Sequence, residues 1–269
     1  MDPMPAISSQ LRPSSRMPAL FVGHGNPMHA IVDSEFSRGW AEIGEALPPP
    51  AAILCVSAHW MTRGTTLVQV SAKPETIHDF GGFPQKLFDQ QYPAPGAPAL
   101  AAETAELLAK HHATTSDEWG LDHGAWAVLI RMFPKADVPV YQLSLDLSRP
   151  VRAHYELARD LKALRERGVL IVGSGNIVHN LPAMRRGGAP YDWAVEFDAM
   201  MAEAIAGRRF GAVAEAEGMG NLMQTAHPTV EHFLPLLYTL GVADEADEIS
   251  FFNEGIDLGS VSMRSCLLA

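Results

Sequence analysis

Histidines that follow apolar runs are the residues of this sequence with the most definite chemistry. His24 follows "ALFVG", His59 follows "AAILCVSA", and His179 comes a few residues after "VLIVGS". Neutral imidazole is a ligand of iron, zinc, copper and nickel, so these residues are candidate ligands of one divalent metal ion. His232, in "TVEHFLPLL", is a fourth candidate, and we predict that it lies in the first turn of a helix.

The identity of the metal ion stays open at this point. Two histidines with one carboxylate are typical of non-haem Fe(II) with open positions for O₂ and substrate, whereas three or four histidines favour Zn²⁺. Glu231 is the nearest carboxylate along the chain, but adjacent side chains on a helix diverge by about 100°. We therefore expect that Glu231 and His232 do not bind the same ion.

Other histidines each allow two interpretations. His123, in "WGLDHGAW", is next to Asp122, which would fix its tautomer for acid–base catalysis. Alternatively, Asp122 only caps a helix that begins at about Ala125. His78, in "IHDFGGFP", belongs either to a pocket wall or to a surface turn. We interpret His154 as solvated, because it falls on a charged amphipathic helix.

The elements that position these residues are apolar strands alternating with amphipathic helices. We predict strands over 19–23, 51–58, 65–70, 138–145 and 169–174, with 248–252 and 260–263 closing an edge of the same sheet. We predict helices over 97–112, 149–168, 191–207 and 229–241. This alternation is typical of an α/β domain with a central mixed sheet covered by helices on both faces. Ligands bind outside the carboxyl ends of such strands, so we expect the metal site at this rim.

Composition narrows the partners and the setting of the protein. The chain has 269 residues, and its net charge of −11 disfavours nucleic acid and anionic membranes as partners. Two isolated cysteines and a start without a continuous apolar stretch predict a cytoplasmic protein. We predict a flexible arm over 1–16 and one α/β domain over 17–269, as a monomer or a small homo-oligomer.

Eight motifs, in order along the chain, carry a family resemblance. They are "PALFVGHGNPM", "VSAHW", "IHDFGGFP", "YPAPGAPAL", "WGLDHGAW", "VPVYQLSL", "GSGNIVHNL" and "EHFLPLLYTLG". Together they resemble the 4,5-DOPA extradiol dioxygenase family, which belongs to the class III ring-cleaving dioxygenases. The likeness runs from about residue 17 to the end of the chain.

The resemblance implies a single α/β domain that holds one divalent metal ion. His24 and His59 match metal ligands, and His232 matches the position that completes the ligand set. His179 matches an acid–base residue beside the metal, which ligates zinc in some members of the family. His123 matches a histidine that contacts a catechol oxygen. The resemblance implies Fe(II) for activity. Zn²⁺ is an alternative bound ion, because the protocatechuate branch has a glutamate ligand where this chain has His232.

The activity that the resemblance implies is the opening of a catechol ring by O₂ to give a muconic semialdehyde. The residues expected to surround the ring are Trp60, His78, Phe80, Phe83, His123 and Trp126. Arg63, Arg185 and Arg186 are the basic residues considered for a substrate carboxylate. A zinc-dependent hydrolase and a non-catalytic binding protein on the same fold are the alternatives.

Overall fold

The central sheet is built from strands whose side chains are buried on both faces. Along the first strand, Ala19 and Phe21 belong to one hydrophobic core, and Leu20 and Val22 belong to a second core on the opposite side. Such strands need helices on both faces. The computed structural model describes residues 16–269, and its strands are β1 Ala19–Gly23, β2 Ala52–Ser57, β3 Met61–Thr62, β4 Thr66–Gln69, β5 Ala113–Ser116, β6 Val140–Gln142, β7 Leu145–Asp146, β8 Val169–Gly175, β9 Ile249–Phe252, β10 Ile256–Asp257, β11 Val261–Ser262 and β12 Ser265–Leu268.

Six of these strands form a mixed sheet in the order β6-β2-β8-β1-β12-β9. Strands β6, β2, β8 and β1 are parallel, whereas β12 is antiparallel to β1 and β9 is antiparallel to β12. The carboxyl ends of the four parallel strands therefore meet at one rim of the sheet. The predicted fold class, a mixed α/β sheet between helices, is confirmed.

Helices cover the two faces of this sheet. The α-helices are α1 Glu35–Ala46, α2 Gln85–Phe88, α3 Pro98–Leu107, α4 His123–Met132, α5 Val151–Ala158, α6 Asp192–Ala206, α7 Phe210–Ala214, α8 Asn221–Ala226 and α9 Leu234–Gly241. Trp40 of α1 and Trp126 of α4 belong to one core, while Leu157 of α5 and Leu237 of α9 belong to the other. Within residues 16–269, no helix is both long and apolar enough to cross a membrane.

Three predictions about strand pairing are corrected by the structure. The segment 65–70 contains β4, but β4 pairs with β5 and not with the central sheet. The segment 138–145 is divided into β6 and β7, and only β6 joins the sheet. The segment 260–263 contains β11, which pairs with β10, so the sheet is completed by β9 and by β12, a strand that was not predicted.

The amino-terminal end of the described chain is tied to the body of the fold. The predicted arm over 1–16 lies outside the described residues, with the exception of Arg16. The guanidinium of Arg16 lies 3.0 Å from carboxylate oxygens of Asp244 and Asp247. The next residue, Met17, is buried, and its N–H donates to the carbonyl oxygen of Arg165.

Close backbone approach brings distant histidines to the same rim. Strand β1 ends at Gly23, directly before His24, and β8 ends at Gly175. A Cβ atom on Gly175 would lie 2.2 Å from the carbonyl oxygen of His232, so only glycine lets the turn with His232 rest on the end of β8. His232 lies in this turn and not in the first turn of a helix, because α9 begins only at Leu234.

Candidate metal centre

Five histidines meet on the wall of one cavity at the rim of the sheet. The cavity has a volume of about 680 Å³. His24 directly follows β1 and His59 follows β2, while His179 comes from the loop after β8. The histidines on the cavity wall are His24, His59, His123, His179 and His232. All four histidines predicted from the strand-end pattern and from "TVEHFLPLL" therefore lie together.

Two of these histidines face each other through their Nε2 atoms. His24 Nε2 and His59 Nε2 are 3.1 Å apart. The hydroxyl of Ser174 donates to the carbonyl oxygen of Gly124, so its oxygen is free to accept the proton of His24 Nδ1, 3.1 Å away. With its proton on Nδ1, the neutral ring of His24 has a lone pair on Nε2.

Asp79 fixes the tautomers of two further rings. Its Oδ2 atom lies 3.2 Å from Nδ1 of His59 and 3.0 Å from Nδ1 of His123, and both are close electrostatic contacts rather than aligned hydrogen bonds. Its Oδ1 atom accepts the backbone N–H of His123 at 2.9 Å. A carboxylate can only accept, so both Nδ1 atoms carry the proton and both Nε2 atoms have lone pairs.

His232 and His179 form the opposite side of the cluster. Glu231 Oε1 lies 3.1 Å from Nδ1 of His232, which again leaves the lone pair on Nε2. The ring of His179 stacks on His232 with centroids 3.4 Å apart. The loop that carries His179 is held because His179 N–H donates to the carbonyl oxygen of Ala226 and the His227 ring nitrogen Nε2 contacts the carbonyl oxygen of Ile177 at 2.7 Å.

The arrangement of nitrogen lone pairs fits a cation. Lone pairs of His24 and His59 that face each other at 3.1 Å repel unless a positive ion shares them. One ligand nitrogen from each of His24, His59 and His123 lies within 4.8 Å of the others, and His179, Glu231 and His232 form a second such group. An imidazole whose second nitrogen is held by a carboxylate or hydroxyl is the usual form of a metal-ligating histidine. The donor set therefore fits one metal ion.

Burial keeps these imidazoles neutral, which is the form that binds a metal. Desolvation, with neighbouring imidazoles as a smaller cause, lowers the pKa of His24 and His232 well below their usual range. The same causes lower the pKa of His59 and His179 to about 3. Burial alone would raise the pKa of Asp79, but its contacts with His123 and His59 lower it to about 2. At pH 7 the site thus combines the neutral imidazoles of His24, His59, His179 and His232 with the ionised carboxylate of Asp79.

The position of Asp122 favours one of its two interpretations, the helix cap. Its carboxylate does cap α4, since Oδ1 accepts the N–H of Ala125 at 3.2 Å, and it also accepts the hydroxyl proton of Ser57 at 2.6 Å. It is therefore Asp79, and not Asp122, that fixes the tautomer of His123. Asp122 nevertheless acts on the site, because Ser57 precedes His59 and its oxygen accepts the His59 backbone N–H.

Comparison with known proteins identifies the family. A model described as the catalytic LigB subunit of aromatic ring-opening dioxygenase matches residues 14–258. The chain belongs to this family. A 4,5-DOPA dioxygenase extradiol of Escherichia coli (strain K12) is 46% identical to it, over 97% of this chain and 98% of that protein. The protein of the same name from Beta vulgaris is 38% identical, over 91% of this chain and 94% of that protein.

The fold of the family is also seen in a solved structure. The crystal structure of an uncharacterized protein from Escherichia coli K12 superposes with a TM-score of 0.81 at 42% sequence identity. The superposition covers 94% of this chain and 100% of the chain in that crystal structure. The resemblance to the 4,5-DOPA extradiol dioxygenases that the motifs indicate is therefore confirmed.

The aromatic residues expected around a substrate divide into two groups in this LigB-family chain. Phe80 and Phe83 line the cavity, with ring centroids 5.3 Å apart. The structure does not bring Trp60, His78 or Trp126 to the cavity wall. Trp60 stacks on Trp119 with centroids 6.0 Å apart. Trp126 is fully buried and His78 packs against it and against Phe80, so both lie behind the wall.

Two functional residues of this family member were missed in the sequence. Asp79 stands in the motif "IHDFGGFP", from which only His78, Phe80 and Phe83 are predicted to have a role. The available signal was an acidic residue in a glycine-rich loop of a chain with several strand-end histidines, because such histidines need carboxylate partners. Ser174, in "GSGNIVHN", carried no comparable signal, since its contact with His24 joins residues 150 positions apart.

Proposed function

We propose that the protein is an extradiol dioxygenase that opens the ring of a catechol, DOPA or a related dihydroxyphenyl compound, to a muconic semialdehyde. The observation that carries the proposal is a cluster of three imidazoles on a cavity that Phe80 and Phe83 also line. Nε2 of His24 and Nε2 of His59 are 3.1 Å apart, and the ring centroid of His232 lies 5.2 Å and 5.0 Å from the centroids of these two rings. The nitrogen atoms suit one divalent metal ion, and the rings suit a planar aromatic substrate. Relatives of this chain carry the name of extradiol dioxygenases.

The metal ion would be held by Nε2 atoms of His24, His59 and His232. Fe(II) bound there supplies the electron transfer that lets O₂ react with a catechol, whereas Zn²⁺ has no redox chemistry. We therefore propose Fe(II) as the ion of the active protein, and Zn²⁺ as an ion that occupies the same nitrogen ligands without supporting oxygen chemistry.

His179 is the proposed acid–base residue. Among residues 16–269, no side chain forms a hydrogen bond with its ring, which leaves both nitrogens available to a substrate. Burial lowers its pKa to about 3, so the ring is neutral at pH 7 and has a nitrogen lone pair available to a substrate hydroxyl. The negative charge that develops on the catechol oxygen would offset the cost of the imidazolium that proton transfer forms. The same nitrogen returns that proton to the product oxygen.

His123 is the proposed contact for the other catechol oxygen. Asp79 holds the proton on Nδ1, so Nε2 of the neutral ring accepts a hydrogen bond from a substrate hydroxyl. If the proton moves onto the ring, the imidazolium stabilises the oxyanion that remains, and the Asp79 carboxylate balances its charge. Asp79 thereby orients His59 and His123 together.

The proposed reaction balances without a further co-reactant. The ring bond between one hydroxyl-bearing carbon and the adjacent carbon without a hydroxyl breaks. Each of these two carbons receives one atom of O₂. The substrate loses four electrons and O₂ gains them. The product contains all atoms of both reactants.

The test is O₂ uptake, with absorbance followed in parallel, after anaerobic reconstitution with Fe(II). The substrates are L-DOPA, protocatechuate, gallate and catechol, and the control is the same protein loaded with Zn²⁺. We expect one O₂ consumed per substrate and a yellow product in the Fe(II) protein alone. Iron-loaded protein that consumes no O₂ with any of the four compounds would overturn the proposal and direct attention to a metal-dependent hydrolase or a binding protein.

A further inference from the structure

The cavity has charged residues at its open end as well as histidines at its closed end. His24, His123 and His232 are buried, whereas Arg185 and Arg186 line the same cavity and are exposed. A ligand that reaches the histidines with one end therefore passes two guanidinium groups with the other. None of the chemistry proposed above uses these arginines.

The two arginines differ in what they already contact. The guanidinium of Arg185 lies 4.0 Å from the ring centroid of Tyr191 and donates to the carbonyl oxygen of Ala189. These contacts hold the loop together. Across the described part of the chain, the guanidinium of Arg186 forms no hydrogen bond, ion pair or ring contact. Its five donors are free for a ligand.

The acidic residues of the cavity do not neutralise Arg186. Asp79 faces His59 and His123 at the closed end. Asp257 accepts the backbone N–H of Leu258 at 2.8 Å and lies 4.0 Å from a ring nitrogen of His29.

Exposed apolar side chains also line the cavity. Leu181 and Met184 are 48% and 44% exposed and lie on the cavity wall, on the loop that joins His179 to Arg186. Exposed apolar groups on a binding cavity are suited to an apolar part of a ligand. The wall of the cavity therefore combines buried histidines with exposed apolar side chains and a free guanidinium.

We propose that Arg186 binds a carboxylate at the end of the substrate side chain, so that the protein prefers catechols whose ring carries a short alkyl chain ending in a carboxylate. The inference rests on the proposed function, because it assumes that the catechol oxygens lie at the histidines. The ring then contacts Phe80 and Phe83, the alkyl chain contacts Leu181 and Met184, and the carboxylate pairs with the guanidinium. Arg186 is a residue that determines specificity and not one that takes part in ring opening.

The test measures binding without turnover. Anaerobic calorimetry on Zn²⁺-loaded protein gives the Kd of four alkyl catechols. L-DOPA and 3-(3,4-dihydroxyphenyl)propionate have a carboxylate, and dopamine and 4-methylcatechol lack one. The variants are Arg186→Gln, Arg186→Lys and, as a matched control, Arg63→Gln, because Arg63 is an exposed arginine outside the cavity.

We expect the wild type to bind the two compounds with a carboxylate about tenfold more tightly, as judged by Kd, than the two compounds without one. This ratio lies between the contribution of a surface ion pair and that of a charged hydrogen bond. R186Q should abolish this ratio, R186K should retain part of it, and R63Q should retain all of it. An unchanged ratio in R186Q, or an equal loss of affinity for all four compounds, would overturn the role of Arg186. Parallel O₂ uptake by the Fe(II) protein separates this from the proposed function, since binding discrimination without O₂ uptake supports Arg186 and contradicts ring opening.

Discussion

The protein buries histidines in two regions that differ in how their nitrogens are used. At the cavity, Nδ1 atoms of His24, His59 and His232 face acceptors, Nε2 of His24 faces Nε2 of His59, and the three rings lie close together. Between α5 and α9, His154 is fully buried alone, with its Nδ1 3.0 Å from the hydroxyl of Tyr238. Burial and a lowered pKa occur in both regions. What distinguishes the candidate metal centre is the shared direction of its lone pairs.

This difference predicts opposite responses to a metal ion. Converging lone pairs are unfavourable without a cation, so the fold at the cavity is stabilised when an ion binds. The ring of His154 has a hydroxyl partner and no other histidine ring within contact distance, so nothing there gains from a metal ion. The predictions below alter one region and use the other as the reference.

Removal of either facing histidine should have the largest effect. We expect His24→Ala and His59→Ala to reduce bound metal from one ion per chain to almost none and to abolish ring cleavage, because each removes one of the two nitrogens that face each other. Metal analysis by mass spectrometry after dialysis measures this, and His154→Gln is the control that keeps a full ion. A His24→Ala protein that still holds one ion would show that the converging nitrogens are not the metal ligands.

His179 should separate turnover from metal binding. We expect His179→Ala to lower kcat by about 10²- to 10⁴-fold, the range for loss of general acid–base catalysis, with metal content nearly unchanged. The physical reason is that no side chain among the described residues orients its ring, unlike the rings held by Asp79, Ser174 and Glu231. Steady-state kinetics and metal analysis on the same samples provide the measurement. Loss of metal in proportion to activity would instead identify His179 mainly as a ligand.

Asp79 should have a greater effect on metal affinity than Glu231. We expect Asp79→Asn to weaken metal binding by about 10- to 100-fold, since an amide cannot accept the Nδ1 protons of His59 and His123 as a carboxylate does. Glu231→Gln is the matched variant, and it should lie at the lower end of this range because Glu231 contacts one imidazole of the cluster, His232, where Asp79 contacts two. Competition with a chelator measures both affinities. Equal losses in the two variants would contradict the role of Asp79 as a carboxylate that orients two imidazoles of the cluster, the ligand His59 and its neighbour His123.

Much of the site could be predicted from the sequence because strand ends are local signals. Continuous apolar runs predict β1 and β8 correctly, and the rule that parallel strands share a rim places His24 and His179 together. Pairing partners are not local, which explains why 65–70 was assigned to the wrong sheet and β12 was missed. The motif of Asp79 carried a signal for an acidic partner, but which histidine it contacts is not local either, since its contact with the His123 backbone spans 44 positions.

The error at His154 has a different origin, because the sequence did contain the signal. His154 is predicted as solvated from the charges of its helix, but the structure buries it completely. Val151, Leu157 and Ala158 lie three or four residues away and are buried on the same face of α5. Helical spacing was therefore the better guide, and the number of neighbouring charges was misleading.

His154 should give the smallest effect, seen only in the pH dependence of stability. Burial, with the charge of Arg149 as a smaller cause, lowers its pKa from 6.5 to about 4, so the unfolded chain binds this proton more readily than the folded protein does. Stability should therefore fall as pH drops from 6.5 towards 4, and this residue should account for about 2 kcal/mol between pH 7 and pH 5.

Urea unfolding of metal-free wild type, His154→Gln and Tyr238→Phe at both pH values isolates this contribution, because the cavity histidines titrate alike in all three proteins. Glutamine does not titrate, so H154Q should lose about 2 kcal/mol less than the wild type on acidification. Y238F keeps the buried imidazole and should lose as much as the wild type. If H154Q loses as much free energy of unfolding as the wild type between pH 7 and pH 5, His154 is not the source of the pH dependence, which then arises at the cavity. The two regions would then differ in metal binding, and burial of His154 would not make stability depend on pH.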